Sequence, residues 1–195
     1  MLVDEDTDSS RGGVVGEPLN PRQGAIEGVE FRELTRAADP RGGFSEIWRS
    51  AWMPRPTPMV QANRSDSKAG VLRGLHYHVR QADYWIVMDG EIAVCVLDVR
   101  RSSPTRNEVE TFSMSADRPA GLYIPPGVAH GFYAVTDAIL MYLVDAEYDG
   151  GDEFGVAWDD PLTVACWPTR NPVLSERDRT NPLLADIPED KLPLK

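Results

Sequence analysis

Short runs in which hydrophobic and polar residues alternate follow one another along most of the chain. Segments rich in Gly, Pro and Asp separate these runs, and the repeat of an amphipathic helix is nearly absent. Many short strands at this spacing predict an all-β sandwich or barrel. The predicted strands have the sequences VEFREL, GFSEIWR, PMVQANRS, VLRGLHYH, YWIVMDG, EIAVCVLDVR, EVETFSM, AGLYIPP, HGFYAVT and AILMYLVDAEY.

The same pattern divides the chain into three parts. Residues 1–24 are rich in Asp, Ser, Gly and Pro and lack apolar periodicity, which predicts a flexible arm. Residues 25–168 contain the strand-like runs and form the predicted barrel. Residues 169–195 predict a polar tail that packs on the barrel, with one helical turn in LSERDR that begins at Ser175 as N-cap.

Alternation along a strand predicts which side chains share a face. In LRGLHYH one face is expected to carry Leu72, Gly74, His76 and His78. The other face is expected to carry Arg73, Leu75 and Tyr77. Both faces of EIAVCVLDV are apolar, which predicts a strand that is buried on two sides.

The formal net charge of −11 limits the choice of partners. A chain this acidic repels nucleic acids and anionic membranes at long range, so neither is an expected partner. An anionic small substrate would need arginines gathered in a cleft, because short-range bidentate contacts outweigh a screened global charge. The sequence has no run of about 18 apolar residues that would predict a membrane span.

The compartment is predicted from the N-terminal residues and the cysteines. MLVDEDTDSSRGG has neither the basic nor the apolar region of a secretory signal. Cys95 and Cys166 both lie in apolar, strand-like runs, which favours buried, reduced thiols over a disulfide. Both features predict a cytoplasmic protein.

The three histidines of the chain have an informative spacing. His76 and His78 lie one residue apart on a predicted strand, Asp83 begins the next strand, and His130 follows the turn PPGVA. This spacing resembles the metal-binding signature of cupin barrels, in which such side chains converge at the barrel mouth. Imidazoles and a carboxylate suit divalent iron, manganese, nickel or zinc. A divalent metal held by His76, His78, Asp83 and His130 is therefore one candidate site.

A second resemblance covers about residues 27–188. The segments DPRGGFSEIW, VQANRS, GVLRGLHYH, GEIAVCVLDVRRSSPT, LYIPPGVAHGF, MYLVDAEY, WDDP and LSERD occur in this order. Together they resemble the dTDP-4-dehydrorhamnose 3,5-epimerase family. The resemblance implies a cupin-type jelly-roll barrel, a double-stranded β-helix, followed by a short C-terminal helical tail.

The resemblance also implies an isomerase and its catalytic residues. The implied reaction inverts carbon 3, carbon 5 or both of a dTDP-linked 4-keto-6-deoxyhexose through an enolate. His76 matches the family's general base, Asp178 the acid that orients a histidine, and Tyr142 the proton donor. No organic cofactor is implied, because the ketone itself acidifies the neighbouring C–H bond. Taken alone, Tyr142 favours a buried core tyrosine, and Asp178 also fits a helix-start carboxylate; only their joint match with the family raises them.

Further positions match the family's substrate-binding residues, and the implied partner is a nucleotide sugar. These positions are Arg41, Glu46, Gln61, Asn63, Arg73 and His130. In the family the segment that holds Arg41 and Glu46 reaches into the neighbouring subunit of a homodimer.

Two positions depart from the family pattern. His78 replaces a glutamine, and Asp83 replaces a lysine that helps to stabilise the enolate. At ~4 Å and an effective dielectric of about 20, like charges repel by roughly 4 kcal/mol, about a thousandfold in rate. Asp83 therefore cannot simply take the place of the lysine.

Three interpretations of Asp83 stay open at this stage. It pairs with Arg80 or another cation outside the site, it joins the histidines in a Lewis-acid metal site, or the protein has left epimerase chemistry. In the second case His76 cannot be both a metal ligand and a free base. The competing function classes are a metal-dependent cupin, such as a metal-assisted isomerase or a dioxygenase, and a sugar-nucleotide binder without activity.

Overall fold

The computed structural model describes residues 22–55 and 58–195, which form an antiparallel, mostly β structure. Most of the predicted N-terminal arm, residues 1–21, lies outside the described residues. The arm's last residues are part of a sheet, because Arg22 and Gln23 pair with Phe31 and Glu30.

The described residues form thirteen strands and one α-helix. The strands are β1 (Arg22–Gln23), β2 (Glu30–Glu33), β3 (Ala37–Asp39), β4 (Gly42–Phe44), β5 (Gln61–Ser67), β6 (Leu72–Tyr77), β7 (Asp83–Asp89), β8 (Glu91–Asp98), β9 (Val109–Ser115), β10 (Ala120–Ile124), β11 (Val128–Ala134), β12 (Ala138–Val144) and β13 (Phe154–Gly155). The helix α1 spans Glu176–Thr180. Short 3-10 helices span Ser50–Trp52, Gly150–Asp152, Val164–Cys166, Leu184–Asp186 and Glu189–Lys191.

Two sheets make up the body of the molecule. One has the strand order β1-β2-β10-β7-β12-β5, and the other has the order β13-β6-β11-β8-β9. The hairpin of β3 and β4 forms a separate two-stranded sheet. Adjacent strands are often distant in sequence, as in the pairing of β10 with β2 and of β11 with β6. These crossovers between two antiparallel sheets agree with the predicted jelly roll.

The predicted strand runs match the observed strands closely, with one exception. Each run except GFSEIWR contains a strand of at least four residues. GFSEIWR is a strand only as far as Phe44. Its apolar residues Ile47 and Trp48 instead pack against Tyr84 and Ile86 on the outer face of the six-stranded sheet. An alternating pattern does not distinguish a strand from an irregular segment that covers a sheet.

The core has an inner layer between the sheets and two outer layers. β8 shows the division, since Val94 and Val96 belong to the inner cluster and Cys95 and Leu97 to the cluster outside the five-stranded sheet. The prediction of a strand buried on two sides is therefore confirmed.

The C-terminal residues cover the outer face of the five-stranded sheet. Trp167 and Leu192 are buried there, and Leu174 and Leu184 pack against the same cluster. Ser175 caps α1 as predicted, since its hydroxyl accepts a hydrogen bond from the backbone N–H of Asp178 at 3.1 Å. Within the described residues, no helix combines the length and apolar character needed to cross a membrane.

The face prediction for β6 is partly wrong. His76 and His78 do line the same cavity, but Arg73 lines it with them, whereas Leu72 packs with Leu75 and Tyr77 in the outer cluster. The register between β6 and β11 shifts at this point, because His130 pairs with His76 and Phe132 pairs with Arg73. Such an irregularity interrupts the strict alternation of an ideal strand.

Candidate active site

A cavity of about 270 Å³ opens at one end of the space between the two sheets. It collects most of the candidate residues that the sequence predicts, which are Asn63, Arg73, His76, His78, Asp83, His130 and Tyr142. Trp85, Phe132 and Leu140 form its apolar part. These three residues also belong to the inner core, so the floor of the cavity is fixed by close packing.

A larger groove lies elsewhere, between β2 and β9. Its volume is about 740 Å³, and it is lined by residues such as Arg22, Phe31, Glu33 and Arg118. All three histidines of the chain line the smaller cavity instead. Acid–base chemistry requires groups of this kind, so the smaller cavity is the candidate active site.

His76 and Asp178 form a hydrogen-bonded pair across two elements. Nε2 of His76, on β6, lies 2.6 Å from Oδ1 of Asp178, on α1. Ser175 donates its hydroxyl to Oδ2 of Asp178 at 2.8 Å, which fixes the carboxylate. Burial by itself raises the pKa of Asp178, but the hydrogen bonds from His76 and Ser175 outweigh burial and lower it. Asp178 thus stays ionised and holds the imidazole in one orientation.

Tyr142 enters the cavity from β12, beside Asn63 of β5 and Trp85 of β7. Burial raises the pKa of Tyr142, and the carboxylates of Asp83 and Glu153 raise it further. The phenol therefore keeps its proton at neutral pH and is able to donate it.

Arg73 is held at the cavity wall by two hydrogen bonds. Its Nε donates to the hydroxyl of Ser67 at 2.9 Å, and its Nη2 donates to the backbone carbonyl of Asp66 at 3.0 Å. A guanidinium has five N–H donors, so Arg73 retains donors for an anionic ligand.

Three further candidate residues, His78, Asp83 and His130, form a polar cluster in the cavity. One potential ligand atom from each of the three lies within 4.8 Å of the other two. Nε2 of His130 lies 3.8 Å from Oδ2 of Asp83. Burial lowers the pKa of His130 to about 4, although the Asp83 carboxylate opposes this shift. The imidazole of His130 is therefore neutral near pH 7.

Two of the open alternatives for Asp83 name contacts that differ from those in the structure. Arg80 does not pair with Asp83, because its guanidinium contacts Asp149 at 2.6 Å and Asp152 at 3.6 Å. Among the described residues the converging group consists of His78, Asp83 and His130, and Nε2 of His76 is bound to Asp178 instead. The sequence places Arg80 and His76 near Asp83, but each binds another carboxylate. His76 binds Asp178 on α1, and Arg80 binds two aspartates in the segment after β12.

Three predicted substrate-binding residues are absent from the described cavity lining. Arg41 lies in the turn between β3 and β4, where its side chain is 90% exposed and bound to Asp39. Glu46 pairs with Arg49. Gln61 donates to Asn63 at 2.8 Å and accepts from the backbone N–H of Tyr148 at 3.0 Å, which places it just behind the cavity wall.

Sequence reasoning missed several polar residues around the site. Gln81 and Trp85 both donate hydrogen bonds to the Asp83 carboxylate, and their spacing of two residues on either side of it could have revealed them. Asp149 and Glu153 line the cavity from the segment after β12, where no periodic pattern indicates which side chains face it.

The fold is a cupin-type jelly roll, and its cavity brings a hydrogen-bonded histidine–carboxylate pair together with a protonated tyrosine. Residues 23–186 match the model of one protein family, described as dTDP-4-dehydrorhamnose 3,5-epimerase. The chain belongs to this family, whose members are isomerases, and the identification made from the sequence motifs is confirmed.

Two curated relatives illustrate the similarity in sequence. A dTDP-4-dehydrorhamnose 3,5-epimerase of Streptomyces griseus is 36% identical over 173 residues, covering 84% of this chain and 86% of the relative. A dTDP-4-dehydrorhamnose 3-epimerase of Streptomyces niveus is 37% identical over 169 residues, covering 83% of this chain and 82% of the relative.

A solved structure shows the same fold. The 4-keto-6-deoxy sugar epimerase from the novobiocin biosynthetic gene cluster of Streptomyces spheroides superposes with a TM-score of 0.83 at 35% identity. The match covers 93% of this chain and 97% of that one. The predicted fold class is confirmed.

Proposed function

We propose that this protein epimerises a nucleotide-linked 4-keto-6-deoxyhexose at a carbon next to the ketone, carbon 3, carbon 5 or both. The observation that carries the proposal is the His76–Asp178 pair, which shares one cavity with the protonated phenol of Tyr142. Family membership favours this reaction over a dioxygenase. It also favours an enzyme over a binder without activity.

The proposed reaction begins with removal of the proton next to the ketone. His76 takes this proton, and the C–H electron pair moves into an enolate. Asp178 orients the imidazole and stabilises the imidazolium that forms. Tyr142 then donates its proton to the opposite face of the carbon, which inverts the centre. Both groups return to their starting states by exchange with water.

The substrate is proposed to be a dTDP-linked sugar. A Legionella pneumophila relative with a TM-score of 0.84 was crystallised with dTDP-4-keto-L-rhamnose, and a Streptomyces bikiniensis 3'-monoepimerase with a TM-score of 0.77 was crystallised with dTDP-quinovose. Arg73 and Asn63 line the cavity of this chain and supply polar contacts for such a ligand. The reaction needs no organic cofactor, because the ketone itself stabilises the carbanion as an enolate.

We also propose a homodimer in which the β3–β4 hairpin of one copy completes the cavity of the other. Arg41 and Glu46 are predicted to bind substrate but do not line the cavity of their own chain. Phe44, at the end of this hairpin, is 59% exposed, so the hairpin offers an apolar side chain to a neighbouring copy. A reducing, cytoplasmic setting is proposed as well, since Cys95 and Cys166 are free.

Deuterium exchange tests the proposed function. The protein is incubated in heavy water with a dTDP-linked 4-keto-6-deoxyhexose, and NMR follows the hydrogens at carbons 3 and 5. We expect deuterium at one or both carbons with the wild-type protein and at least a 100-fold slower exchange with His76→Asn. Equal exchange by the variant, or none by the wild type with bound substrate, would contradict the proposal.

A further inference from the structure

The cluster of His78, Asp83 and His130 has the hydrogen bonds of a metal site around it. Nδ1 of His78 lies 2.8 Å from the backbone carbonyl of Asp152, and Nδ1 of His130 lies 2.9 Å from that of Val128. A carbonyl oxygen only accepts, so each Nδ1 carries the hydrogen. In the neutral imidazole this leaves a lone pair on Nε2, which is the arrangement found in metal-bound histidines.

Asp83 is oriented in the same way. Its Oδ1 accepts from the side-chain amide of Gln81 at 2.8 Å, and its Oδ2 accepts from the indole N–H of Trp85 at 3.1 Å. Each of the three side chains therefore has a partner behind it and a free acceptor in front of it. Partners of this kind fix the direction of metal ligands and are as characteristic of a metal site as the ligands themselves.

The centre of the cluster lacks a donor. Oδ2 of Asp83 faces Nε2 of His130 at 3.8 Å, too far for a hydrogen bond, and Nε2 of His130 makes none within the described chain. Asp83 is 3% exposed and His130 is 6% exposed, so bulk water hardly reaches them. A buried carboxylate that faces imidazole lone pairs is costly unless a cation lies between them.

We propose that His78, Asp83 and His130 bind one divalent transition-metal cation. Two imidazoles and one carboxylate match the ligand preferences of Zn²⁺, Fe²⁺ and Co²⁺. Ligand atoms around such an ion lie about 3.0–3.4 Å apart. The ligand atoms of the three residues lie within 4.8 Å of one another, so they have to move together by roughly 1 Å when the ion binds. His78 is only half-buried, which gives the ion a route from solvent.

The site leaves the base free. His76 is bound to Asp178 and stands outside the three-residue group, although it pairs directly with His130 across β6 and β11. Held by His78, Asp83 and His130, such a cation would supply a Lewis acid beside His76 that stabilises negative charge. This catalytic role rests on the proposed epimerase function, whereas the binding site itself does not.

Binding of Co²⁺ to chelator-treated protein tests the site without reference to activity. Calorimetry gives the stoichiometry, and the visible absorption of Co²⁺ reports its coordination. We expect one ion per chain. In His78→Gln and in Asp83→Asn the affinity for Co²⁺ should fall by at least about 100-fold. This exceeds the roughly 10- to 100-fold loss that follows from removing an outer-shell partner.

His76→Gln is the matched control, because it changes a histidine in the same cavity that is not a ligand. It should bind one Co²⁺ with wild-type affinity and the same absorption spectrum. His78 is half-buried, so His78→Gln should keep the wild-type thermal melting curve. Failure of the wild type to bind Co²⁺, or equal binding by wild type and His78→Gln, would overturn the site.

Deuterium exchange with the metal-free and Co²⁺-loaded wild-type protein separates the two proposals. We expect exchange to fall at least tenfold without metal and to recover at one equivalent of Co²⁺. Full exchange by the metal-free protein would overturn the catalytic role of the ion and uphold the epimerase. Binding of Co²⁺ without exchange in either form would overturn the epimerase and uphold the site.

Discussion

Tyr142 and His76 line the cavity from different elements, β12 and β6, so the roles proposed for them can be tested separately. Replacing the phenol removes the proton donor but leaves the base and its carboxylate partner intact. The two halves of the reaction should therefore respond differently to substitution of Tyr142.

Tyr142→Phe should retain deuterium exchange within about tenfold of the wild type while losing at least about 100-fold in formation of the inverted sugar. The base can still remove and return a proton on its own face of the ring. NMR of the sugar in heavy water measures exchange and inversion in one experiment. Loss of both in parallel would show that Tyr142 does more than donate this proton.

Asp178 acts through His76, so we describe it as a positioning residue. Asp178→Asn should lower kcat by about 100-fold with little change in KM, because the imidazolium loses the carboxylate that stabilises it. Asp178→Glu, which keeps the charge, should recover part of the loss. A change confined to KM, or no recovery by glutamate, would argue against this role.

At the scale of elements, the motif DVRRSSPT forms a turn held by one buried carboxylate. Asp98 is fully buried and accepts hydrogen bonds from Arg100 at 2.8 Å and from Thr105 at 2.7 Å. Ser103 donates to the same carboxylate at 2.5 Å. In this chain the motif therefore stabilises a turn of the barrel, and its residues do not appear in the described cavity lining.

The stability that Asp98 contributes should depend on pH. Burial by itself raises the pKa of Asp98, but the hydrogen bonds from Arg100, Ser103 and Thr105 outweigh burial and lower it below the usual value of about 3.9. A lowered folded-state pKa gives stability that is present above about pH 4 and is lost as the pH falls through the folded-state pKa.

Asp98→Asn should therefore lower the free energy of unfolding by about 3 kcal/mol at pH 7. The difference from wild type should shrink as the pH falls below about 4, because the wild-type carboxyl then takes up a proton. Urea unfolding at several pH values measures both quantities. A difference that stays constant with pH would mean that the charge of Asp98 is not involved.

The irregularity in β6 depends on two glycines that face one another. Gly74 has φ +122°, and a Cβ at this position would lie 2.6 Å from the Cα of Gly131. This close approach accompanies the register shift that puts Arg73 and His76 on the same cavity.

Gly74→Ala should lower the free energy of unfolding by more than about 3 kcal/mol, since backbone strain and a backbone clash add together. Gly70→Ala is the matched control, because Gly70 also has a positive φ, +88°, but nothing lies within 4 Å of its Cβ position. Its cost should be only about 1–2 kcal/mol. Equal costs in urea unfolding would show that the approach to Gly131 is not limiting.

At the scale of the whole molecule, the proposed dimer predicts complementation between two inactive variants. His76→Asn lacks the base, and Arg41→Ala lacks a hairpin contact that is offered to the partner. In a mixed dimer, one of the two cavities has a normal base and receives a normal hairpin.

Co-expression of the two variants should therefore give more epimerisation than the average of the separate proteins, while light scattering reports a dimer. Wild-type protein should be a dimer in the same measurement. Activity equal to the average, or a monomeric wild type, would contradict the proposed exchange of hairpins.

The candidate site was predictable in part from local pattern. The spacing of His76 and His78 on a strand placed both at one cavity, and the PPGVAH turn brought His130 to them. The role of Arg73 on the same wall was not predictable from alternation, because the register shift at Gly74 depends on the neighbouring strand β11.

The sequence by itself determined the β architecture, the family and the residues available for chemistry, because alternation and motif order are local properties of the chain. Only the tertiary structure decided how the histidines divide their work. Asp178 comes from a helix 102 residues away and binds His76, whereas Asp83 of β7 faces His130 of β11 in the other sheet. Partners so distant in sequence meet only when the sheets and the C-terminal segment have packed together.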